Sequence, residues 1–245
     1  MLHGLYSAAA GMAAQQQRID SVADDLSNVS TTGYKPARVA FRDLVYADGP
    51  RGGSPGVLVG SGSASTVVGR SMRQGPVEQT DQPLDVALEG PGFLQVRLAD
   101  GRQALTRDGQ LRADSQGRLT LHTGELVDPV IRIPAGGDAG KVAIAPDGQV
   151  TLDGRRLGQL RLVDVAAPNG LDGGPGNTFV PSAASGPIRA AAATTTVRQG
   201  ALEGSGVDTA AAFADMIEAQ RGFEFASKAI HTQDQLLEIA NGVKR

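Results

Sequence analysis

Cysteine is absent from all 245 residues. Disulfides, thiolate nucleophiles and thiolate-held metals are therefore excluded. Tryptophan is absent too, and aromatic residues reach only 4%. Any core must be built from Ala, Val, Leu and Ile. The formal net charge is −3, and there is no basic block. Binding to a phosphate backbone needs clustered Lys and Arg, so nucleic acid is not expected as a partner. No apolar run approaches the ~18 residues of a membrane-spanning helix, so membrane insertion is not expected either. The opening residues Met1-Leu2-His3-Gly4-Leu5-Tyr6 carry neither a charged n-region nor an apolar h-region. They do not read as a cleaved secretory signal.

Chemistry-bearing motifs are equally scarce. His3, His122 and His231 are far apart, and none falls in an H-x-x-x-H or H-E-x-x-H pair. Gly60-Ser61-Gly62 does not extend to G-x-G-x-x-G, because residue 65 is Ser. There is no P-loop. The adjacent carboxylates Asp24 and Asp25 would point about 100° apart on a helix and share no site easily. The Asp-Gly pairs do not sit in a twelve-residue acidic ladder of the kind that binds calcium. No catalytic, metal-binding or cofactor-binding residue is assigned, no cofactor is expected, and the chain does not read as an enzyme.

What is present is an arrangement of helical ends around a β-rich middle. All thirteen prolines lie between Pro36 and Pro187, so long helices are confined to the two ends. At the N-terminal end Leu5, Met12, Ile19 and Leu26 recur every seven residues. Ala8, Gln15, Val22 and Val29 fall three further on. At the C-terminal end Met216, Phe223, Ile230 and Leu237 repeat the spacing, with Ala212, Ala219, Ala226, Gln233 and Ala240 between. Asp208 is placed to cap that second helix. One reading of each stripe is an ordinary amphipathic helix on its own core. The shared period near 3.5 favours paired helices that also serve assembly.

Between the ends, residues 49–75 are rich in Gly and Ser and read as an extended arm. Residues 84–165 read as all-β. Short apolar runs such as Phe93–Leu98, Leu119–Leu121, Val142–Ile144 and Leu160–Val163 are separated by Asp-Gly pairs. These pairs, at 100–101, 108–109, 147–148 and 153–154, suit hairpin turns. Residues 166–187 read as a loop. The expected fold class is α+β: long N- and C-terminal helices paired in a coiled-coil-like core, a central β domain and a Gly-rich arm. The expected divisions are 1–35 (assembly helix), 36–80 (arm), 81–187 (β domain), 188–206 (return segment) and 207–245 (second assembly helix).

Five segments carry a resemblance in register. Leu26-Ser27-Asn28-Val29-Ser30-Thr31-Thr32-Gly33-Tyr34-Lys35 resembles the N-terminal signature of flagellar rod and hook proteins, with Asp24-Asp25 where that family has an Asn pair. Pro83-Leu84-Asp85-Val86-Ala87-Leu88-Glu89-Gly90-Pro91-Gly92-Phe93 resembles its P-L-D-x-A-I-x-G-x-G-F-F. Thr106-Arg107-Asp108-Gly109, with Asp114 and Gly117, resembles its T-R-D-G run. Gln199–Val207 resembles Q-G-x-L-E-x-S-N-V, with Gly206 in place of Asn. Met216-Ile217, Gln220-Arg221, Phe223-Glu224 and Ser227-Lys228 resemble the C-terminal signature.

The resemblance implies a structural subunit of the bacterial flagellar basal body, most like the distal rod, with a proximal rod or hook-like subunit as the alternative. It implies self-association into a helical filament that transmits torque for motility. It also implies contact with other rod, hook and ring proteins, and export through the flagellar apparatus without a cleaved signal. Leu5, Met12, Ile19, Leu26, Met216, Phe223, Ile230 and Leu237 are the expected assembly interface. Asn28, Thr32, Gly33, Tyr34 and Lys35 form the family-motif turn. Two other classes remain: a secreted binding module using the β domain, and a hydrolase using Glu89 or Glu125. No spacing supports the hydrolase.

Overall fold

The proline-free ends form the two helices, α1 (Leu2–Ser27) and α2 (Thr209–Gly242). The computed structural model describes residues 2–44, 47–48, 58–59 and 62–242. These divide into two units. One comprises Met1–Ser27, Ala37–Val68 and Asp208–Arg245, and the other Asn28–Pro36 and Gly69–Val207.

In the first unit α1 and α2 pack against each other. They run antiparallel: Gly4 lies beside Gln233, Gly222 beside Gln15, and Arg18 bonds Asp215 and Glu218. The expected cap forms, with Asp208 Oδ1 accepting from Ala210 N at 3.0 Å and Ala211 N at 3.1 Å. Both glycines sit where a long side chain crosses a backbone. A Cβ added at Gly222 would lie 2.9 Å from Gln15 Cδ, and one at Gly4 would lie 2.8 Å from Gln233 Oε1. Gly costs a helix about 1 kcal/mol relative to Ala, and at these two positions a Cβ would require the glutamine side chain to move.

The expected arm contains a two-stranded ribbon, Ala37–Asp43 paired with Ser63–Arg70. Arg18 lies over the Phe41 ring at 5.9 Å, and Ser65 Oγ donates to Gln17 Oε1. Asp25 is buried and accepts from Ala37 N at 3.3 Å. The Gly52–Gly56 stretch lies outside the described residues.

The strands of the second unit pair antiparallel, and two short 3-10 turns, Ala139–Lys141 and Pro168–Gly170, interrupt them. A nine-stranded sheet includes Phe93–Arg97, Gln103–Thr106, Leu111–Ala113, Leu119–Leu121, Leu126–Val127, Leu162–Asp164 and Thr178–Val180. A three-stranded meander, Val142–Ile144, Gln149–Leu152 and Arg155–Gln159, lies beside it in sequence. Two further pairs join distant segments: Val86–Glu89 with Thr196–Gln199, and Val77–Gln79 with Ala201–Glu203.

The strand Phe93–Arg97 divides two apolar clusters. Leu94 and Val96 point into the larger one, with Leu119, Leu121, Ile131 and Val150. Phe93 points into the smaller, with Leu105, Val163 and Phe179, and its ring meets Phe179 edge-on at 5.9 Å. Both faces of this strand are covered, so its alternation does not divide core from solvent.

Two expectations are corrected. Asp108-Gly109 is not a hairpin turn, unlike the other three Asp-Gly pairs. Gly109 lies against Val86 O, where a Cβ would sit at 1.7 Å, so close approach selects glycine there. Residues 166–187 are also not all loop. Thr178–Val180 pairs with Gln103–Thr106 and joins the sheet.

Candidate assembly faces and the buried junction

The heptad residues fall on one line of the helix pair. Leu5, Met12, Ile19 and Leu26 on α1, and Met216, Phe223, Ile230 and Leu237 on α2, are all half-buried. Ala14, Val22 and Ala219 are the most enclosed apolar residues of the pair. The structure thus places the eight expected assembly residues in a seam within one chain. Gln15 Oε1 is buried there without a hydrogen-bond partner.

α2 has a second apolar face. Phe213 is 55% exposed, Ile217 52%, Phe225 69%, Leu236 57% and Ile239 63%. At 100° per residue these five occupy an arc of about 140°, centred opposite the seam. A groove of about 570 Å³ borders this face, lined by Gln15, Ala214, Ile217, Arg221 and Phe225 among others. The sequence reading missed this face because the heptad pattern accounted for the stronger apolar repeat.

The motif turn is drawn together as a strap on the second unit. α1 stops at Ser27, and Asn28–Pro36 run on as part of the β unit. Thr31 Oγ1 donates to Asn28 Oδ1 at 3.1 Å, and Thr32 Oγ1 to Asp108 Oδ1 at 2.8 Å. His122 Nδ1 stands 2.9 Å from the other oxygen of Asp108. Gly33 has φ +65°, and a Cβ there would meet the Arg107 carbonyl carbon at 2.5 Å, so only glycine fits. Gly33 N donates to Glu203 O at 2.7 Å, and Gly206 N to Tyr34 O at 2.9 Å.

Lys35 ends the strap in a buried charge cluster. Its Nζ donates to Arg73 O at 2.6 Å and Glu203 Oε1 at 2.5 Å. Arg107 Nη1 donates to Glu203 Oε2 at 3.1 Å, and Arg107 Nη2 to Gly90 O at 2.7 Å. The Arg107 guanidinium also lies 5.5 Å from the Phe93 ring centre. Side-chain exposure is 0% for Lys35 and Glu203 and 5% for Arg107. Burial pulls the Lys35 amine below its ordinary value; Glu203 opposes the fall and Arg107 adds to it. Thr32, Gly33, Tyr34 and Lys35 each bond to the β unit, and Asn28 bonds Thr31 within the turn. Arg107 and Glu203, their partners, lay inside quoted motifs, but no spacing linked positions 35, 107 and 203.

Among the described residues there is no cluster of His, Asp and Glu able to hold a metal. No described helix is long and apolar enough to cross a membrane.

A helix pair from the chain ends and a central β unit are the fold that the resemblance to flagellar rod and hook proteins implies. Family comparison agrees. The chain matches the family "Flagella basal body rod protein" over residues 5–35. It matches "Flagellar hook protein FlgE/F/G D1 domain" over 87–152 and "Flagellar basal body rod FlgEFG protein C-terminal" over 198–243. The chain belongs to the flagellar basal-body rod protein family, whose members are structural and not enzymes.

Its type within that family is FlgG, the distal rod. It is 38% identical to the flagellar basal-body rod protein FlgG of Borreliella burgdorferi, with 100% of both chains covered. It is 33% identical to the FlgG of Bacillus subtilis, again over 100% of both. A FlgF rod protein of Escherichia coli is 33% identical over 98% of each chain.

Proposed function

We propose that the chain self-associates into a helical segment of the flagellar rod through the outer face of α2, and so carries torque. The observation that carries this reading is the two-faced helix. α1 covers one apolar face of α2, and five large apolar side chains remain exposed on the other. An apolar face of this kind on a single chain marks an interaction surface. Burying each of its large side chains against a neighbour would contribute about 1.5–3 kcal/mol. The seam from Leu5 to Leu26 and from Met216 to Leu237 supports assembly by holding α2 in place, while the opposite face meets the next copy. Contacts that repeat without closing give a filament.

The test is the double variant Ile217→Glu, Phe225→Glu in flagellated cells that lack their own copy. The expected result is a chain with wild-type circular dichroism and melting that neither enters purified basal bodies nor restores swimming. Normal incorporation would exclude this face.

Membership of the family supports other rod, hook and ring proteins as neighbours, and supports export by the flagellar apparatus without a cleaved signal. Fractionation of cells with a disabled export apparatus tests the route. The chain should stay in the cytoplasm at full length, and its appearance outside would refute the export reading.

A further inference from the structure

The strap 28–36 is bound to the β unit by a set of polar contacts and by the buried Tyr34. None of its residues belongs to either apolar cluster. Its anchors are the bonds of Thr32, Gly33, Tyr34 and Lys35 described above, with Asn177 Nδ2 donating to Thr32 O at 2.7 Å and Arg70 Nη1 to Lys35 O at 2.9 Å.

The residues that form the Lys35 socket are also held by groups outside the strap. Glu203 lies on Ala201–Glu203, paired with Val77–Gln79, and its Oε1 also accepts from Gly75 N at 2.9 Å. Arg107 is fixed by Gly90 O and by the Phe93 ring. The Arg107–Glu203 pair, balanced in charge, therefore has contacts of its own outside the strap. Docking adds a second buried cation to the same carboxylate. The attraction to Glu203 is set against the loss of lysine hydration and repulsion from Arg107.

We infer that the strap is a latch that opens and closes on an intact β unit, with the Glu203 carboxylate setting its strength. The latch ties the segment that follows α1 to residues 203–206, which lead towards α2, through Gly33 N to Glu203 O and Gly206 N to Tyr34 O. This inference rests on the β unit alone and does not depend on which face of α2 assembles.

Hydrogen exchange on the full-length chain tests it, comparing wild type, Glu203→Gln and Lys35→Met. Glu203→Gln keeps the shape and an acceptor oxygen but leaves two buried cations without an anion. It should raise exchange at residues 31–36 by tenfold or more, on the order expected for local opening, while 93–97 and 119–127 stay protected. Lys35→Met removes two hydrogen bonds from the strap but leaves a balanced Arg107–Glu203 pair, and should open the strap less. A strap held simply by its count of hydrogen bonds would give the reverse order, and that order would overturn the latch. Should Glu203→Gln fail to fold, the wild type still decides. Strap amides should exchange by openings nearly independent of low urea, whereas amides in 93–97 need openings that grow steeply with it. Exchange of the two segments in step would sink the proposal.

Discussion

In the β unit, Val96, Ala104, Leu105, Leu119 and Val150 have no exposed surface. In the helix pair, the most buried of the described apolar residues are Ala219 at 0%, Ala14 at 3% and Val22 at 9%. The β unit encloses its own core. The helices share a thin seam of Ala, Met, Ile and Leu, and turn a second apolar face outward. Most helical stability in proteins comes from tertiary packing, so the pair gains less from burial than the β unit does. The difference separates a unit with an enclosed core from a helix pair that leaves an apolar face exposed.

The sharpest way to break this comparison is to remove an enclosed side chain. Phe93→Ala should cost about 3–5 kcal/mol in urea unfolding of the β unit. The same change at exposed Phe225 should move the midpoint little. Equal losses would remove the distinction.

Gly33→Ala should cost at least ~1–3 kcal/mol, from strain at positive φ together with the clash against Arg107. Tm measured by calorimetry should fall, and restoring glycine at the same position alone should recover it.

A smaller effect comes from pH. Lys35 is pulled below its usual 10.5, with Glu203 and Arg107 as the charges facing its amine. The unfolded chain then binds more protons than the folded one, so the Lys35 contribution becomes more favourable as pH rises towards 10.5. Stability of the wild type relative to Lys35→Met should therefore increase from pH 7 to pH 10 in urea titrations. A relative decrease would mean that Glu203 outweighs burial.

The smallest expected effects compare two helical glycines. A Cβ at Gly11 meets nothing within 4 Å, so Gly11→Ala should stabilise by about 0.5–1 kcal/mol. Gly222→Ala must push Gln15 aside and should gain less. Equal gains would show that the seam tolerates a wider spacing.

The seven-residue spacing made the helix pair legible, since it needs only local periodicity. Asp208 and three of the four Asp-Gly turns were legible because capping and hairpin chemistry are local too. Asp108-Gly109 misled, because its glycine answers to a backbone 23 positions earlier in the chain. The strand Thr178–Val180 was hidden in a segment of turn-forming residues, and only its pairing with Gln103–Thr106 defines it. The charge cluster was hidden for the same reason: Lys35, Arg107 and Glu203 lie in three separate segments. The outer face of α2 was written in the sequence as Phe213, Ile217, Phe225, Leu236 and Ile239. Its irregular spacing gives no simple repeat, and only a structure shows which helix face is already occupied.

The most direct test of the two-faced α2 uses the absence of native cysteine. In Phe225→Cys the introduced thiol is the sole one in the chain, so maleimide labelling reports a single position. The free subunit should label at the rate of an exposed thiol, and the same variant in purified basal bodies should be strongly protected. Equal labelling in the free and assembled states would contradict the account.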